Sequence, residues 1–325
     1  MDFDKVKENA RLIAFYLPQF HPIPENDASW GRGFTEWRNV CQAKSLFREH
    51  YQPRLPADLG FYDLRVPETR AAQAELAREY GIEGFCYWHY WFQGRRLLWR
   101  PFNDVLQSGE PDFPFCLAWA NESWSRRWLG EEKDVLIAQA YSDDDDIHHI
   151  QWLLQAFADR RHITINGRPL FLIYRPRHLP NPQRTTDLFR TECVKAGLPE
   201  PFLVGIDAHC QNLDCRSIGF DGTLSFEPQL GILPDAFKPD SSSNDGASLS
   251  KLMWRLELIE CDFFKLGVIV HYAGKTFALV GNQERNRITR AMRGELNRGI
   301  KAVGAGWCLI MLQWSPKYRS INGPV

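Results

Sequence analysis

The chain has little net charge, no long apolar run and no paired cysteine motif. Its 39 Lys and Arg residues balance 40 Asp and Glu residues, for a formal net charge of −1. This balance offers no electrostatic basis for binding nucleic acid. No apolar run reaches the roughly 18 residues of a membrane-spanning helix, so we expect no membrane span. The charged start, Met1 to Lys5, lacks the apolar segment of a secretion signal.

The 8 cysteines are scattered, and no C-x-x-C pair occurs. Cys210 and Cys215 are the closest two, at a spacing that argues against zinc, so we expect neither a metal nor another cofactor. Cys86 and Cys116 lie inside apolar runs, where a free thiol behaves as a small apolar side chain. Reduced thiols without an export signal indicate a cytoplasmic protein.

Aromatic residues are abundant, with 12 Trp and an aromatic content of 13%. Indole and phenol rings stack on the apolar faces of sugar rings, so this excess favours a carbohydrate-binding surface. The alternative is an aromatic-rich core. The length of 325 residues suits one (β/α)₈ barrel.

Six apolar, strand-like runs each end in polar or aromatic residues. In a barrel of parallel strands, the active-site groups come from several strand ends on one face. Helical patterns separate most of the runs, as over Pro67 to Tyr80, so the sequence predicts an α/β fold of the (β/α)₈ TIM-barrel type. The runs are 12–17, 82–87, 115–118, 169–173, 202–206 and 222–226.

The segment from Trp119 to Trp124 is the most informative, because Glu122 follows a buried strand and stands between two indoles. A carboxylate in such a pocket can bind sugar hydroxyls or act as a general acid or base. The alternative is a structural ion pair with Arg126 or Arg127. Glu227 follows another strand, and we treat Glu122 and Glu227 as the candidate catalytic residues.

The remaining candidates are polar and aromatic residues at the strand ends or in the long segment 22–66, which we expect to fold over the barrel mouth. His89 can instead be a core histidine, Glu36 can pair with Arg32 or Arg38, and Arg175 can pair with Asp207. The predicted substrate-binding residues are Tyr16, Gln19, His21, Glu36, Trp37, Trp88, His89, Trp91, Trp119, Asn121, Trp124, Tyr174, Arg175 and Asp207.

Several blocks resemble the WbsX-like proteins, which are glycoside hydrolase family 99-like domains of bacterial polysaccharide and O-antigen gene clusters. The blocks follow one another in the family's order over about residues 11–230. They are Phe15–His21, Trp30–Trp37, Gly84–Phe92, Leu117–Glu122 and Ile165–Pro176.

The resemblance implies a (β/α)₈ barrel that acts on an oligo- or polysaccharide, with polysaccharide-biosynthesis enzymes as partners. Family 99 enzymes are endo-acting and retaining, and use two carboxylates with the 2-hydroxyl of the substrate as nucleophile. Their glutamates lie in a C-terminal Asn-Glu-Trp-x-Glu-Gly motif. This chain lacks that motif and has no carboxylate after Glu295. We therefore divide it into an extension (1–10), a barrel (11–272) and a diverged segment (273–325) that alters or truncates the eighth unit.

Three functions follow as hypotheses. The first is a glycan-acting enzyme with retaining endo-glycosidase chemistry in cell-surface polysaccharide metabolism. The second is an inactive carbohydrate-binding relative, which the missing glutamates favour. The third is a glycosyltransferase of O-antigen or lipopolysaccharide biosynthesis, for which the sequence shows no convincing nucleotide site.

Overall fold

The computed structural model describes residues 11–45, 52–56, 58–126, 131–208, 213–226, 268–272, 275–279 and 309–313. The strands are β1 (Arg11–Tyr16), β2 (Gly84–Phe92), β3 (Arg95–Leu97), β4 (Phe115–Trp119), β5 (Trp124–Arg126), β6 (Glu131–Ile137), β7 (Thr164–Ile165), β8 (Arg168–Ile173), β9 (Phe202–Asp207), β10 (Gly222–Ser225), β11 (Val268–Tyr272), β12 (Lys275–Leu279) and β13 (Leu309–Gln313). The helices are α1 (Pro24–Trp30), α2 (Glu36–Gln42), α3 (Pro67–Glu79), α4 (Arg100–Ser108), α5 (Asp143–Phe157) and α6 (Pro182–Lys195).

The main sheet is parallel along its path, in the order β10-β9-β8-β4-β2-β1-β13. From β1 to β10 the spatial order follows the chain, and α3, α4, α5 and α6 each connect two neighbouring strands. Parallel strands joined by helices form βαβ units, and the curled sheet makes this a TIM-barrel-like α/β fold. All six predicted strands are confirmed. The tail also contributes a strand, β13, which pairs with β1. Closure into eight units stays a prediction.

β2 is longer than its apolar run predicts, because it continues through the aromatic stretch to Phe92 and folds back on β3. Successive side chains of a strand point to opposite faces of the sheet. This extension therefore decides the direction of every aromatic residue between Trp88 and Phe92.

Local signals explain where α5 and α6 begin. The Ser142 hydroxyl accepts a hydrogen bond from the backbone N–H of Asp145 at 3.1 Å, and acidic residues fill the first turn of α5. The run of four Asp residues from Asp143 to Asp146 is therefore the start of a helix. The Asn181 side chain accepts from the backbone N–H of Arg184 at 3.0 Å, so α6 begins at Pro182.

Two apolar layers cover the parallel sheet. The layer between the strands and the helices, here the helix side, includes Phe115, Leu117 and Trp119 together with residues of α3 to α6. The opposite face, here the inner face, includes Phe15 and Cys116 and contains no residue of those helices. Strand alternation makes this division.

The long segment after β1 is folded around Trp37. Its indole N–H donates to the carbonyl oxygen of Tyr62 at 2.8 Å, and its ring lies 4.6 Å from that of Phe20. The backbone N–H of Glu36 donates to the carbonyl oxygen of Gln19 at 3.4 Å. These contacts hold α2 against the end of β1. The predicted extension 1–10 and residues 227–267, which contain Glu227, lie outside the described residues.

At Gly84 in β2 the strand lies very close to Pro114 and Ile163. A Cβ atom there would lie 2.5 Å from the carbonyl oxygen of Pro114 and 2.8 Å from Ile163. We expect Gly84→Ala to lower the free energy of unfolding by about 1–3 kcal/mol through overpacking, as measured by urea denaturation.

Gly222→Ala in β10 is the matched control, since its Cβ would meet Phe202 and Val204 only at 3.8 Å. It should be neutral or slightly stabilising. Equal effects of the two substitutions would contradict the close approach at Gly84.

Candidate functional site

The hydroxyl group of Tyr90 in β2 lies in a buried, polar environment. The Gln19 amide, after β1, donates to that oxygen at 3.4 Å. Burial, together with the charges of Glu36 and Glu122, raises the pKa of Tyr90 well above its ordinary value. The phenol therefore stays protonated and can both donate and accept. We call Gln19, Glu36, Tyr90, Glu122 and Arg175 the Tyr90 site.

Glu36 is the first residue of α2 and lies in the Tyr90 site with a raised pKa. Burial raises the pKa of Glu36 to about 7. The Asn39 amide donates a hydrogen bond to the carboxylate at 3.1 Å, which favours the charged form and lowers the pKa by a smaller amount. Arg38 donates instead to the carbonyl oxygen of Trp30. In the described part of the chain, neither Arg32 nor Arg38 forms an ion pair with Glu36. Glu36 can therefore exchange a proton near neutral pH.

Glu122 forms an ion pair with Arg175, the residue two positions after β8. The Glu122 side chain is 30% exposed and that of Arg175 is 12% exposed, so the pair lines an accessible surface. Arg175 also lies over the ring of Tyr174, with 4.8 Å from guanidinium carbon to ring centroid. Among the described residues Arg175 pairs with Glu122, and the alternative pairing with Asp207 is not seen.

Asn121 holds the ends of β4 and β8 together. Its side-chain oxygen accepts from the backbone N–H of Arg175 at 2.7 Å, and its amide nitrogen donates to the Arg175 carbonyl at 2.9 Å. The Tyr141 hydroxyl donates to the Asn121 carbonyl at 2.8 Å. Asn121 is wholly buried, so it positions Glu122 and Arg175 and presents no surface to a ligand.

Aromatic rings line the inner face beside the Tyr90 site. Trp88 is partly exposed and stacks on Phe15 at 4.8 Å, with Tyr174 edge-on at 5.3 Å. Trp124, also partly exposed, meets the ring of Tyr90 edge-on at 5.6 Å. These rings supply the apolar surface that a sugar face requires.

The other predicted substrate-binding residues are buried away from this surface. Trp119 has no exposed area, packs on the helix side, and donates through its indole to the carbonyl oxygen of Trp91 at 3.3 Å. Its ring therefore has no face for a sugar. Tyr16 donates to the side chain of Gln73 in α3 at 2.6 Å. The buried set is Tyr16, His21, Trp37, His89, Trp91, Trp119, Asn121 and Asp207.

His89 belongs to a stack of rings between β2 and α5. Its Nε2 lies 3.0 Å from Nε2 of His149, and Trp152 stacks on it at 4.8 Å. Trp91 stacks on His149 at 4.6 Å and donates to Asp145 at 3.0 Å. Burial lowers the pKa of His89 to about 3. His89 is therefore a hydrogen-bonded core histidine, the alternative that the sequence left open.

Sequence reasoning missed Tyr90, although a signal was present. Once β2 continues past Trp88, residues 88 and 90 share a face while His89 and Trp91 take the other. Within the described ranges, no group of three or more His, Cys, Asp or Glu residues is arranged to hold a metal ion. No helix among these residues is long and apolar enough to cross a membrane.

The sequence profile of a protein family described as "Glycosyltransferase WbsX" matches residues 12–291. The chain belongs to this family. Similar proteins named WxcX, from two strains of Xanthomonas campestris pv. campestris, are 46% identical over 246 residues. That alignment covers 76% of this chain and 35% of each relative, so the chain spans about a third of their length.

Solved structures support the fold. A protein described as "Glycoside hydrolase-like protein" aligns over 96% of this chain and 85% of its own, with a TM-score of 0.50 and 13% identity. The GH99 endo-α-mannosidase from Bacteroides thetaiotaomicron aligns over 66% of this chain and 60% of its own, with a TM-score of 0.41 and 14% identity. The first likeness shows a shared fold, and the second is too weak to add to it.

Removal of the Asn121 side chain should loosen the Tyr90 site. Asn121→Ala leaves the buried backbone groups of Arg175 without partners, which should cost roughly 2–3 kcal/mol of unfolding free energy. Tyr141→Phe removes only one hydroxyl and should cost about 1 kcal/mol. Chemical denaturation measures both, and equal costs would contradict the proposed role of the Asn121 amide.

Glu36 should give a characteristic pH dependence of stability. Its pKa is about 7 in the folded chain, against 4.5 for a freely solvated glutamate. Between these values the folded state binds more protons, so the contribution of Glu36 is fully present below the lower value and declines as the pH rises to the upper one. Glu36→Gln removes that decline, so the stability of the variant relative to wild type should be higher at about pH 8 than at about pH 5.

Urea unfolding at the two pH values checks this expectation. Glu75→Gln is the control, because the Glu75 side chain is 71% exposed in α3. A stability difference for Glu36→Gln that does not change with pH would contradict the burial of this carboxyl group.

Proposed function

We propose that this chain acts on a glycan, which it binds at the carboxyl ends of β1, β2, β4 and β8. The observation that carries the proposal is the hydrogen bond from Gln19 to the Tyr90 hydroxyl, with the carboxyl groups of Glu36 and Glu122 near enough to raise the pKa of Tyr90 and the partly exposed ring of Trp88 beside it. Neutral hydrogen-bonding groups, carboxyl groups and an indole face are the combination that sugar hydroxyls and sugar faces require. Membership of the WbsX family supports a carbohydrate ligand.

The two carboxyl groups suit opposite steps of glycosidic bond cleavage. Glu36, with its pKa near neutrality, can donate a proton to the leaving oxygen. Glu122, paired with Arg175 as a carboxylate, can accept a proton from a hydroxyl of the substrate. Retention of configuration through the substrate 2-hydroxyl is our finer hypothesis. In this hypothesis the two carboxyl groups come from α2 and from the segment that follows β4.

A carbohydrate-binding protein without turnover is the second candidate. The ion pair between Glu122 and Arg175 favours it, because it engages one of the two carboxyl groups proposed for the chemistry. Product analysis separates the two candidates. A cleaved glycan with a retained anomer, followed by NMR, supports the enzyme, while binding without any product supports the second candidate.

Loss of the Glu122 carboxylate should weaken glycan binding. Glu122→Gln removes a charged acceptor, and loss of a hydrogen bond to a charged group lowers affinity by about 10-fold or more. The test uses an array of bacterial cell-surface glycans to select a ligand and calorimetry to measure its affinity. Tyr90→Phe should lower the affinity for the same ligand by a smaller factor, because it removes a neutral hydroxyl group.

Glu75→Gln, on the exposed face of α3, is the matched control and should leave the affinity unchanged. Thermal melting of each variant separates lost binding from lost folding. Unchanged affinity in a folded Glu122→Gln variant would contradict the assignment of the site, and an array without any bound glycan would contradict the proposed function itself.

A further inference from the structure

A small pocket lies between the ends of β8 and β9, next to the Tyr90 site. Its polar lining comes from Arg175, Arg177 and His178, and its walls are apolar. The apolar or aromatic members of the lining are Tyr174, Pro176, Ile206 and Ala208. The two arginines give the lining positive charge, and none of the residues that line the pocket is acidic.

Arg177 and Arg175 both retain hydrogen-bond donors for a ligand. In the part of the chain that the structure describes, Arg175 donates to Glu122 through Nε, and its two Nη atoms have no protein acceptor. Over the same residues Arg177 is exposed and its guanidinium donates to no protein acceptor. Guanidinium groups bind carboxylates through paired N–H donors, which gives strong and oriented hydrogen bonds.

The neighbouring acidic groups are already engaged. Asp214 accepts two hydrogen bonds from the guanidinium of Arg216, at 2.8 and 2.7 Å. Asp207 accepts from the backbone N–H of Leu213 at 3.3 Å and does not line the pocket. Glu122 is the ion-pair partner of Arg175. Arg177, which pairs with none of these acidic groups, therefore supplies positive charge at the pocket.

The size of the pocket limits what it can hold. Its volume of about 20 Å³ compares with the roughly 10–15 Å³ that one water molecule needs. A sugar ring does not fit, but the oxygens of one planar substituent do. A carboxylate matches this space better than a phosphate, which carries more oxygens around a tetrahedral centre.

We infer that this pocket receives the carboxylate of an acidic sugar, such as a uronic acid, whose ring lies against Tyr174 and the Tyr90 site. The inference rests on the proposed function and specifies it, because it selects acidic glycans over neutral ones. Arg177 and His178 are then specificity residues, distinct from the carboxyl groups Glu36 and Glu122.

The test is a saturation-transfer NMR titration of the full chain with sodium D-glucuronate, its uncharged methyl ester and glucose 1-phosphate. We expect glucuronate to bind roughly 10-fold more tightly than the methyl ester, as for loss of a hydrogen bond to a charged group. Added salt should weaken glucuronate binding, because the pocket is partly open to solvent. Equal binding of acid and ester, no binding of glucuronate, or tighter binding of glucose 1-phosphate would each overturn the inference.

Two variants and a control localise the effect. Arg177→Gln should lower the affinity for glucuronate by roughly 10-fold and leave the affinity for the methyl ester unchanged. His178→Asn should also lower the affinity for glucuronate, by a smaller factor. Arg184→Gln is the control, because that exposed arginine pairs with Asp143 on α5 and lies outside the pocket lining. Equal effects of Arg177→Gln and Arg184→Gln would overturn the inference.

The glycan array separates this inference from the proposed function. If neutral glycans bind and glucuronate does not, the inference of a carboxylate pocket is overturned and the proposed function stands. An array on which no glycan binds, neutral or acidic, would overturn both.

Discussion

The hydrogen bonds between Asn121 and the backbone of Arg175 are the contact on which the candidate site depends. The strand ends of a parallel sheet meet at one edge, but the chain beyond each strand can leave in many directions. The buried amide of Asn121 satisfies both the N–H and the carbonyl of Arg175, which fixes the exit from β4 against the exit from β8. Glu122 and Arg175 form their ion pair because of this arrangement.

Aromatic and polar residues serve two different purposes on the two faces of β2. On the helix side, His89 and His149 share a hydrogen bond inside a stack with indole rings, and burial lowers the pKa of both imidazoles. On the opposite face, Trp88 is partly exposed, and the buried Tyr90 accepts a hydrogen bond from Gln19. Nearly identical residue types are therefore structural at one position and candidate ligand groups at the next.

Membership of the WbsX family and the electrostatics of the site lead to the same class of ligand by separate routes. The family assignment rests on a match over most of the chain. The site suggests a carbohydrate through the protonated phenol of Tyr90, the raised pKa of Glu36 and the accessible indole of Trp88. The pocket at Arg177 is the basis of the inferred preference for acidic sugars, which the family name does not contain. Since the WxcX relatives are about three times as long as the aligned region, the chain's own residues are the ones that must be tested.

The sequence by itself determined the α/β class, the six strands and the edge of the sheet where polar side chains collect, because hydrophobic periodicity and strand ends are local properties. It also named Gln19, Glu36, Trp88, Glu122, Trp124, Tyr174 and Arg175, which all lie at that edge. Only the tertiary structure decided that Trp119, Trp91 and His89 belong to the core and that Tyr90 belongs to the site. For the residues of β2 the physical reason is that this strand continues to Phe92, where it pairs with β3, whereas Trp119 ends β4 on the helix side. That pairing fixes which side chains of β2 point to each face of the sheet. The pattern of apolar residues in the sequence does not predict the pairing.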